Sequence, residues 1–311
     1  MFDNRERWPS RPVADIVHAL ARELLLAPEP PSRLPTVRDL TVRHRSSLSS
    51  IHTAMGRLRE LGAITVETRG PLGAYMTGRS IGKLWEVAEG GPLVIALPLA
   101  SSPRYEALAT AIKAGLTQAG LEVFLIFVRG SRQRLQAVRE GRCNLAVMSA
   151  FAAAELCGPD DPVVLELWPH SYNTGHMVFF TESADRDRPL RVLVDRHSAD
   201  QQLLSALEFG GEGVEMIPAM TAQIARMLAD GRADAAVWTT DEMLVNRPER
   251  VLDRPLSAAV MDKVGDRDTR AVLVGRGEDA DVLQASTAVL ARPEVQQIQA
   301  DVLAGTVTPE Y

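Results

Sequence analysis

No run of about 18 apolar residues occurs in the 311-residue chain, so no helix is expected to cross a bilayer. Cysteine is scarce: Cys143 and Cys157 share no metal-like spacing, and a disulfide framework is not implied. A reduced cytoplasm fits best. The N-terminus, MFDNRERWPSRP, is too polar and too acidic for a signal peptide. Catalytic signatures are missing as well. There is no G-x-S-x-G elbow and no H-E-x-x-H. His170, His176 and His197 are separated by six and 21 residues, which puts no two of them on one helical face. No metal, no cofactor and no catalytic residue is therefore expected. His176, beside the apolar MVFF, reads as a hydrogen-bonded hinge residue. TRGPLGAYM (68–76) is rich in glycine but lacks the Lys-Ser/Thr pair and following helix of a phosphate loop.

What is present is ordinary in bulk: 46% hydrophobic, 24% charged, mean hydropathy −0.04 and a net charge of −6. The charge is unevenly spread. Residues 30–79 hold eight Arg and no Lys against three acidic residues, whereas residues 91–311 hold 21 basic against 30 acidic ones. A small basic module on a large acidic one suggests a polyanion reader joined to something that avoids polyanions; a solvated Arg-rich surface gives the same count.

The periodicity of the first 78 residues predicts helices and a hairpin. Val13, Ile16, Val17, Leu20 and Leu24 recur at three- and four-residue steps from Arg11 to Leu26. After the proline-rich APEPPSRLP, Thr36 is placed to cap a short helix, and Ser47 to cap a second from Leu48 to about Leu61. That second helix turns Ile51, Ala54, Met55 and Leu58 to one side and Ser49, Ser50, His52 and Thr53 to the other. Gly62 stops it. Alternation on both sides of the glycine-rich centre then makes TRGPLGAYM the tip of a β-hairpin, with Arg69 and Gly70 at its bend. This is a winged helix-turn-helix in outline. Candidate DNA contacts are Arg38, Arg45 and Ser47, the four polar residues of the second helix, and Arg69 with Gly70. A purely structural hairpin with an incidental Arg remains the alternative.

LPTVRDL, the polar turn RHRSS, the capped helix and RELGAITVETRGPLG together resemble the winged-helix domain of the GntR superfamily. The resemblance implies a phosphate contact for Arg38, base readout for Ser49 and Ser50, and a wing at Arg69–Gly70. The family commonly has Arg before its Thr pair where this chain has Leu48, which implies a different operator preference.

From residue 92 the pattern changes to strand, helix, strand: PLVIALPL, VFLIFV and NLAVMS, then RVLVD, VEMIP and DAAVW, then AVLVG, with amphipathic helices between. Two α/β lobes are expected, the second at about 185–255, behind a linker helix at 79–91. Ligands in such sheets lie beyond the carboxyl ends of the strands. The candidates there are Ser101, Ser102, Arg104 and Tyr105, then Arg129, Ser131 and Ser149, then Asp195, Ser198 and Trp238. Helix N-termini at Ser131 and Ser198 favour an anion. Strand ends also collect ordinary turns and caps, so each of these residues has a structural alternative.

ALPLASSPRYEALATAIKAGL, VRGSRQRL, LAVMSAFAA, SYNTGHMVFF, VDRHSADQQLL, DGRADAAVWTTDE and the terminal PEY resemble, as a set, the YhfZ regulator family. That resemblance covers the chain from about residue 35 to its end. It implies a cytoplasmic transcription regulator with a C-terminal domain similar to type 2 periplasmic-binding proteins, with crossovers near 176–190 and 250–270. Three functions are weighed, and the Arg-only basic module, the wing and the missing catalytic signatures speak against the third. One is a DNA-binding regulator, dimeric on an inverted repeat, that senses a small anionic effector and needs no membrane. The second is a DNA-binding protein whose α/β domain only oligomerises. The third is an enzyme acting on a carboxylated or phosphorylated metabolite.

Overall fold

A computed structural model of the chain describes residues 12–89, 91–181, 189–245 and 247–311. The expected helix start at Arg11 and part of the crossover expected at 176–190 lie outside them. The chain forms two compact units. One reaches to Leu93 and includes Gly115–Val123 and Asp281–Val289; the other comprises Val94–Ala114, Phe124–Ala280 and Leu290–Tyr311.

In the N-terminal unit, α1 (Val13–Leu25) buries Ile16, Val17, Leu20 and Leu24, as its periodicity requires. A two-residue strand β1 (Ser32–Arg33) precedes α2 (Val37–Arg43). The Thr36 hydroxyl accepts the Asp39 amide at 3.2 Å while the Asp39 carboxylate accepts the Thr36 amide at 3.0 Å, a reciprocal cap. α3 (Leu48–Glu60) starts at Ser47, whose hydroxyl accepts the Ser50 amide at 3.1 Å. It ends where Gly62 takes φ of +66°, a left-handed conformation that favours glycine. Ile51, Ala54 and Leu58 are buried and Met55 is half-buried.

β2 (Ile64–Thr68) and β3 (Ala74–Arg79) form the expected hairpin, and β1 joins to give the order β1-β3-β2. The hairpin tip is a single 3-10 turn at Gly70–Leu72. α4 (Ile81–Glu89) packs on α1, and Arg22 bonds Glu89 at 2.6 Å. It is therefore not a free linker. Gly82 lies so close to the turn at Gly120 that an added Cβ would stand 1.8 Å from the Gly120 carbonyl oxygen. That contact draws residues 115–123 into this unit, which the expected boundary at 91–92 did not anticipate.

The remaining elements are, in chain order, β4 (Leu93–Leu97), α5 (Pro103–Gln118), β5 (Val123–Phe127), α6 (Ser131–Arg139), β6 (Leu145–Ser149), α7 (Ala150–Leu156) and β7 (Val163–Glu166). There follow β8 (His176–Thr181), β9 (Leu190–Val194), α8 (Ala199–Phe209), β10 (Val214–Pro218), α9 (Ile224–Ala229), β11 (Ala235–Thr239), α10 (Thr240–Val245) and β12 (Val251–Pro255). The chain ends with α11 (Ala258–Val264), β13 (Ala271–Val274), α12 (Ala280–Thr287) and α13 (Pro293–Leu303).

Two five-stranded sheets result, ordered β5-β4-β6-β13-β7 and β10-β9-β11-β8-β12. Both read second, first, third, inserted, fourth. The inserted strand, β13 or β8, runs antiparallel to its neighbours and arrives by a crossover from the other lobe. This is the two-lobed arrangement of the type 2 periplasmic-binding-protein fold. The central strands β6 and β11 are buried along their whole length, which is why they read as unbroken apolar runs without alternation.

The crossovers run through 167–175 and 256–270. The first comes earlier than expected because β8 already pairs with β11, so the second lobe begins near His176 and not near 185. The two crossovers are stitched together. The Tyr172 amide donates to the Thr269 carbonyl at 2.8 Å, Asn173 Nδ2 to the Asp268 carbonyl at 3.0 Å, and His176 Nδ1 meets the Asp268 carboxylate at 2.7 Å. His176, the first residue of β8, is thus hydrogen-bonded where the first crossover enters the second lobe.

Candidate functional site

Between the lobes lies a cavity of about 340 Å³, at the carboxyl ends of β4, β5, β9 and β11. Six of the ten residues expected there line it: Ser101, Tyr105, Arg129, Ser131, Ser198 and Trp238. Trp238 does so as part of the floor, since it belongs to β11 and is buried.

The other four do not line the cavity, and each has a structural task. Buried Ser102 accepts the Tyr105 amide at 3.3 Å in the first turn of α5. Arg104 bonds Asp241 at 3.1 Å and the His170 carbonyl at 2.8 Å. Ser149 caps α7 through the Ala152 amide at 2.9 Å and donates to Asp200 at 2.5 Å. Asp195 accepts from Arg129 Nη2 at 2.5 Å, the Thr221 hydroxyl at 2.8 Å and the amides of His197 and Thr221. Burial raises the Asp195 pKa, but these donors outweigh it and the net shift is downward. In all four cases the polar residue at the strand end answers another protein group.

Cavity residues outside the expected set are Arg134, Tyr172, Asn173, Gln201, Thr221 and Glu242, together with Asp200, whose place at a strand end suggested a turn or cap role or a carboxylate pair with Asp195. Arg134 sits inside α6, 2% exposed, and donates to the carbonyls of Val128 and Val147 and to the Tyr172 hydroxyl. Tyr172 packs edge-on against Tyr105, ring centres 5.2 Å apart. Burial raises both phenol pKa values, with the carboxyls of Asp200 and Glu242 adding to the effect. Burial likewise raises Asp200, against the charge of His176 and the bonded Ser149 hydroxyl, and raises Glu242, against the hydroxyls of Ser101 and Thr239 and the charge of His176. For His176, burial opposes protonation, yet the bond and charge of Asp268 prevail and its pKa is raised. The cavity therefore concentrates groups whose charged states depend on one another.

The lobes are closed over this space. Arg129–Asp195, Arg104–Asp241, Ser101–Glu242 and Ser149–Asp200 all cross between them, as does the bond from the Ala199 amide to the Ser131 hydroxyl at 3.3 Å. Gly130 has φ of +82°, and a Cβ there would lie 2.5 Å from the His197 carbonyl oxygen, so only glycine permits this approach.

In the N-terminal unit the expected polar residues lie on α2, on α3 and the turn before it, and at the hairpin tip. Ser47, Ser49, His52 and Thr53 are exposed and Ser50 is half-buried. The hydroxyls of Ser49 and Ser50 stand 2.9 and 2.8 Å from that of Ser47, and the Thr53 hydroxyl donates to the Ser49 carbonyl at 2.9 Å. Arg38, Arg45 and Gly70 are exposed. Arg69 is exposed too, but its guanidinium bonds Glu67 at 2.9 Å and lies 4.5 Å from the centre of the Tyr75 ring. Those contacts hold it along the hairpin.

Residues 81–311 match the YhfZ C-terminal domain. This chain belongs to the YhfZ family. It is 28% identical to YhfZ of Escherichia coli (strain K12) over 302 residues, covering 95% of this chain and 96% of that one. The crystal structure of YhfZ from Shigella flexneri is similar at a TM-score of 0.59 and 27% identity, over 71% of this chain and 93% of that chain. A periplasmic substrate-binding protein of an ABC transporter from Coxiella burnetii is similar at a TM-score of 0.44 and 14% identity, over 70% of this chain and all of that one. Among the described residues of this YhfZ-family chain, no helix is long and apolar enough to cross a membrane.

Proposed function

We propose that this YhfZ-family chain is a cytoplasmic transcription regulator that binds duplex DNA through its N-terminal unit and senses a small anionic metabolite between its two α/β lobes. On this reading the N-terminal unit is a GntR-like winged helix. α3 enters the major groove by its N-terminal end, with Ser49, Ser50, His52 and Thr53 toward the bases. Arg38, Arg45 and the Arg69–Gly70 tip approach phosphates. One such module makes few contacts, so two copies on an inverted repeat are needed for useful affinity.

A single observation carries the sensor reading. Arg129 lines the cavity with Nη2 on Asp195, while its buried Nε–H has no hydrogen-bond partner among the described residues. An unanswered buried donor of a charged group is costly, and a carboxylate or phosphate would satisfy it. The hydroxyls of Ser131 and Ser198 border the same space from the two lobes. An anion held there grips both lobes and favours their closure. Binding, not catalysis, is what such an arrangement supports, so no reaction is assigned to the cavity.

The test is a thermal-shift screen of carboxylate and phosphate metabolites on the full chain, followed by DNA titration with and without the hits. A stabilising anion is expected, with a coupling to DNA affinity of about 1–3 kcal/mol and with its thermal shift lost in Arg129→Ala. If no anion stabilises the protein, or Arg129→Ala leaves the shift unchanged, an oligomerisation module without ligand becomes the better account.

A further inference from the structure

The cavity also holds unmet demand of the opposite sign. Asn173 is 1% exposed and lines the cavity; its Nδ2 is spent on the Asp268 carbonyl, and its Oδ1 has no partner among the described residues. Two carboxyls line the same space, Asp200 and Glu242. Asp200 is 5% exposed and bonds the Ser149 hydroxyl; Glu242 bonds the hydroxyls of Ser101 and Thr239. Neither forms a salt bridge among the described residues. The nearby cations are engaged elsewhere: Arg134 on two carbonyls and a phenol, Arg129 on Asp195, His176 on Asp268.

Neither carboxyl has an ion-pair partner among the described residues, and the charge of nearby His176 offsets only part of what burial costs them, since both pKa values stay raised; a buried amide oxygen without a donor is costly too. A protonated primary amine answers all three, since it brings a positive charge and three N–H donors. The charges of Asp200 and Glu242 both bear on Tyr105, Tyr172 and His176, which line the same cavity. Apolar side chains line the cavity as well, among them Met220, Ile224, Trp238 and Met243.

We infer that the ligand is a small zwitterion: an acid whose anionic group meets Arg129, whose ammonium sits among Asn173, Asp200 and Glu242, and whose body is apolar. This rests on the sensor reading above and narrows its ligand to an amino-acid-like class. A cavity of this volume suits a compact metabolite, at the small end of ligand pockets.

Three probes sharing one apolar skeleton test it on the full chain by calorimetric titration and thermal shift: L-leucine, 4-methylpentanoate, which lacks the amine, and 3-methylbutylamine, which lacks the acid. L-Methionine and L-phenylalanine with their matching acids and amines extend the set. For at least one skeleton the zwitterion is expected to bind at least tenfold more tightly than either fragment. Glu242→Gln should erase its advantage over the acid. Asn173→Asp, which adds charge where the unpaired oxygen stands, should strengthen binding of the amine fragment and covers the case in which a carboxyl variant fails to fold. An acid that binds as tightly as its zwitterion, or a zwitterion advantage that survives Glu242→Gln, overturns this inference and leaves the sensor reading standing. Silence from every probe overturns the inference, and the broader anion screen then decides the sensor reading separately.

Discussion

The polar residues on the surface of α3 and the hairpin contrast with those of the interlobe cavity. In the first, side chains are mostly exposed and lightly held, as Arg69 is by Glu67 and Tyr75. In the second, charged groups are buried and most are answered by a named partner, as Asp195 is by Arg129 and Thr221. Water screens the first set, so each group contributes little to folding and stays available to a polyanion. The second set is out of water, so each group is costly to strand and its environment sets its protonation. On the proposed function, the same residue types would serve recognition of an extended charge in one region and of a single small molecule in the other.

That contrast can be broken most directly at Arg134. Replacing it with Leu strands the carbonyls of Val128 and Val147, at about 1–3 kcal/mol for each buried acceptor. Chemical denaturation should show the loss; a change below half a kcal/mol would mean that the cavity charges are as replaceable as surface ones.

The next effect is in pH. His176 and Asp200 both have raised pKa values in the fold. The fold binds their protons more tightly than the unfolded chain, so stability falls as pH rises. The contribution from His176 is complete below its ordinary value of 6.5 and is lost as pH climbs through its raised value. That from Asp200 declines from 3.8 upward. Scanning calorimetry from pH 5 to 8.5 should give a falling Tm, and Asp268→Asn should flatten the part above pH 6. A Tm that rises over this range contradicts the assignment.

Smaller changes are expected in the N-terminal unit. Ser47→Ala removes the cap of α3 and should cost about 1 kcal/mol. Arg69→Ala should leave Tm unmoved, while the slope of log affinity for duplex DNA against log salt drops by about 0.9. Changing His52 or Ser50 should alter which sequence is preferred. If Arg69→Ala shifts Tm but not the salt slope, the hairpin is structural and the contrast between the regions disappears.

Much of the fold was legible because it is local. Thr36 and Ser47 cap the helices that their positions suggested, and Gly62 ends one through its left-handed backbone. Alternation around TRGPLGAYM marked the hairpin, and apolar runs marked β6 and β11. Propensity, capping and periodicity act over a few residues, and the chain displays them in order.

Strand ends were legible in the same way, which is why Ser101, Arg129, Ser131 and Ser198 could be named as candidates. What those ends face was not. Whether Arg129 finds Asp195, Arg104 finds Asp241 or Ser149 finds Asp200 depends on pairings 66, 137 and 51 residues apart. Asn173 and Arg134 have no spacing that marks them, because their roles arise when two crossovers and a helix meet beneath closed lobes. Sequence by itself determined most of the elements, the uneven charge and the division into two lobes; tertiary structure alone decided which buried groups are answered and which are not, since desolvation and pairing exist only once distant segments exclude water together.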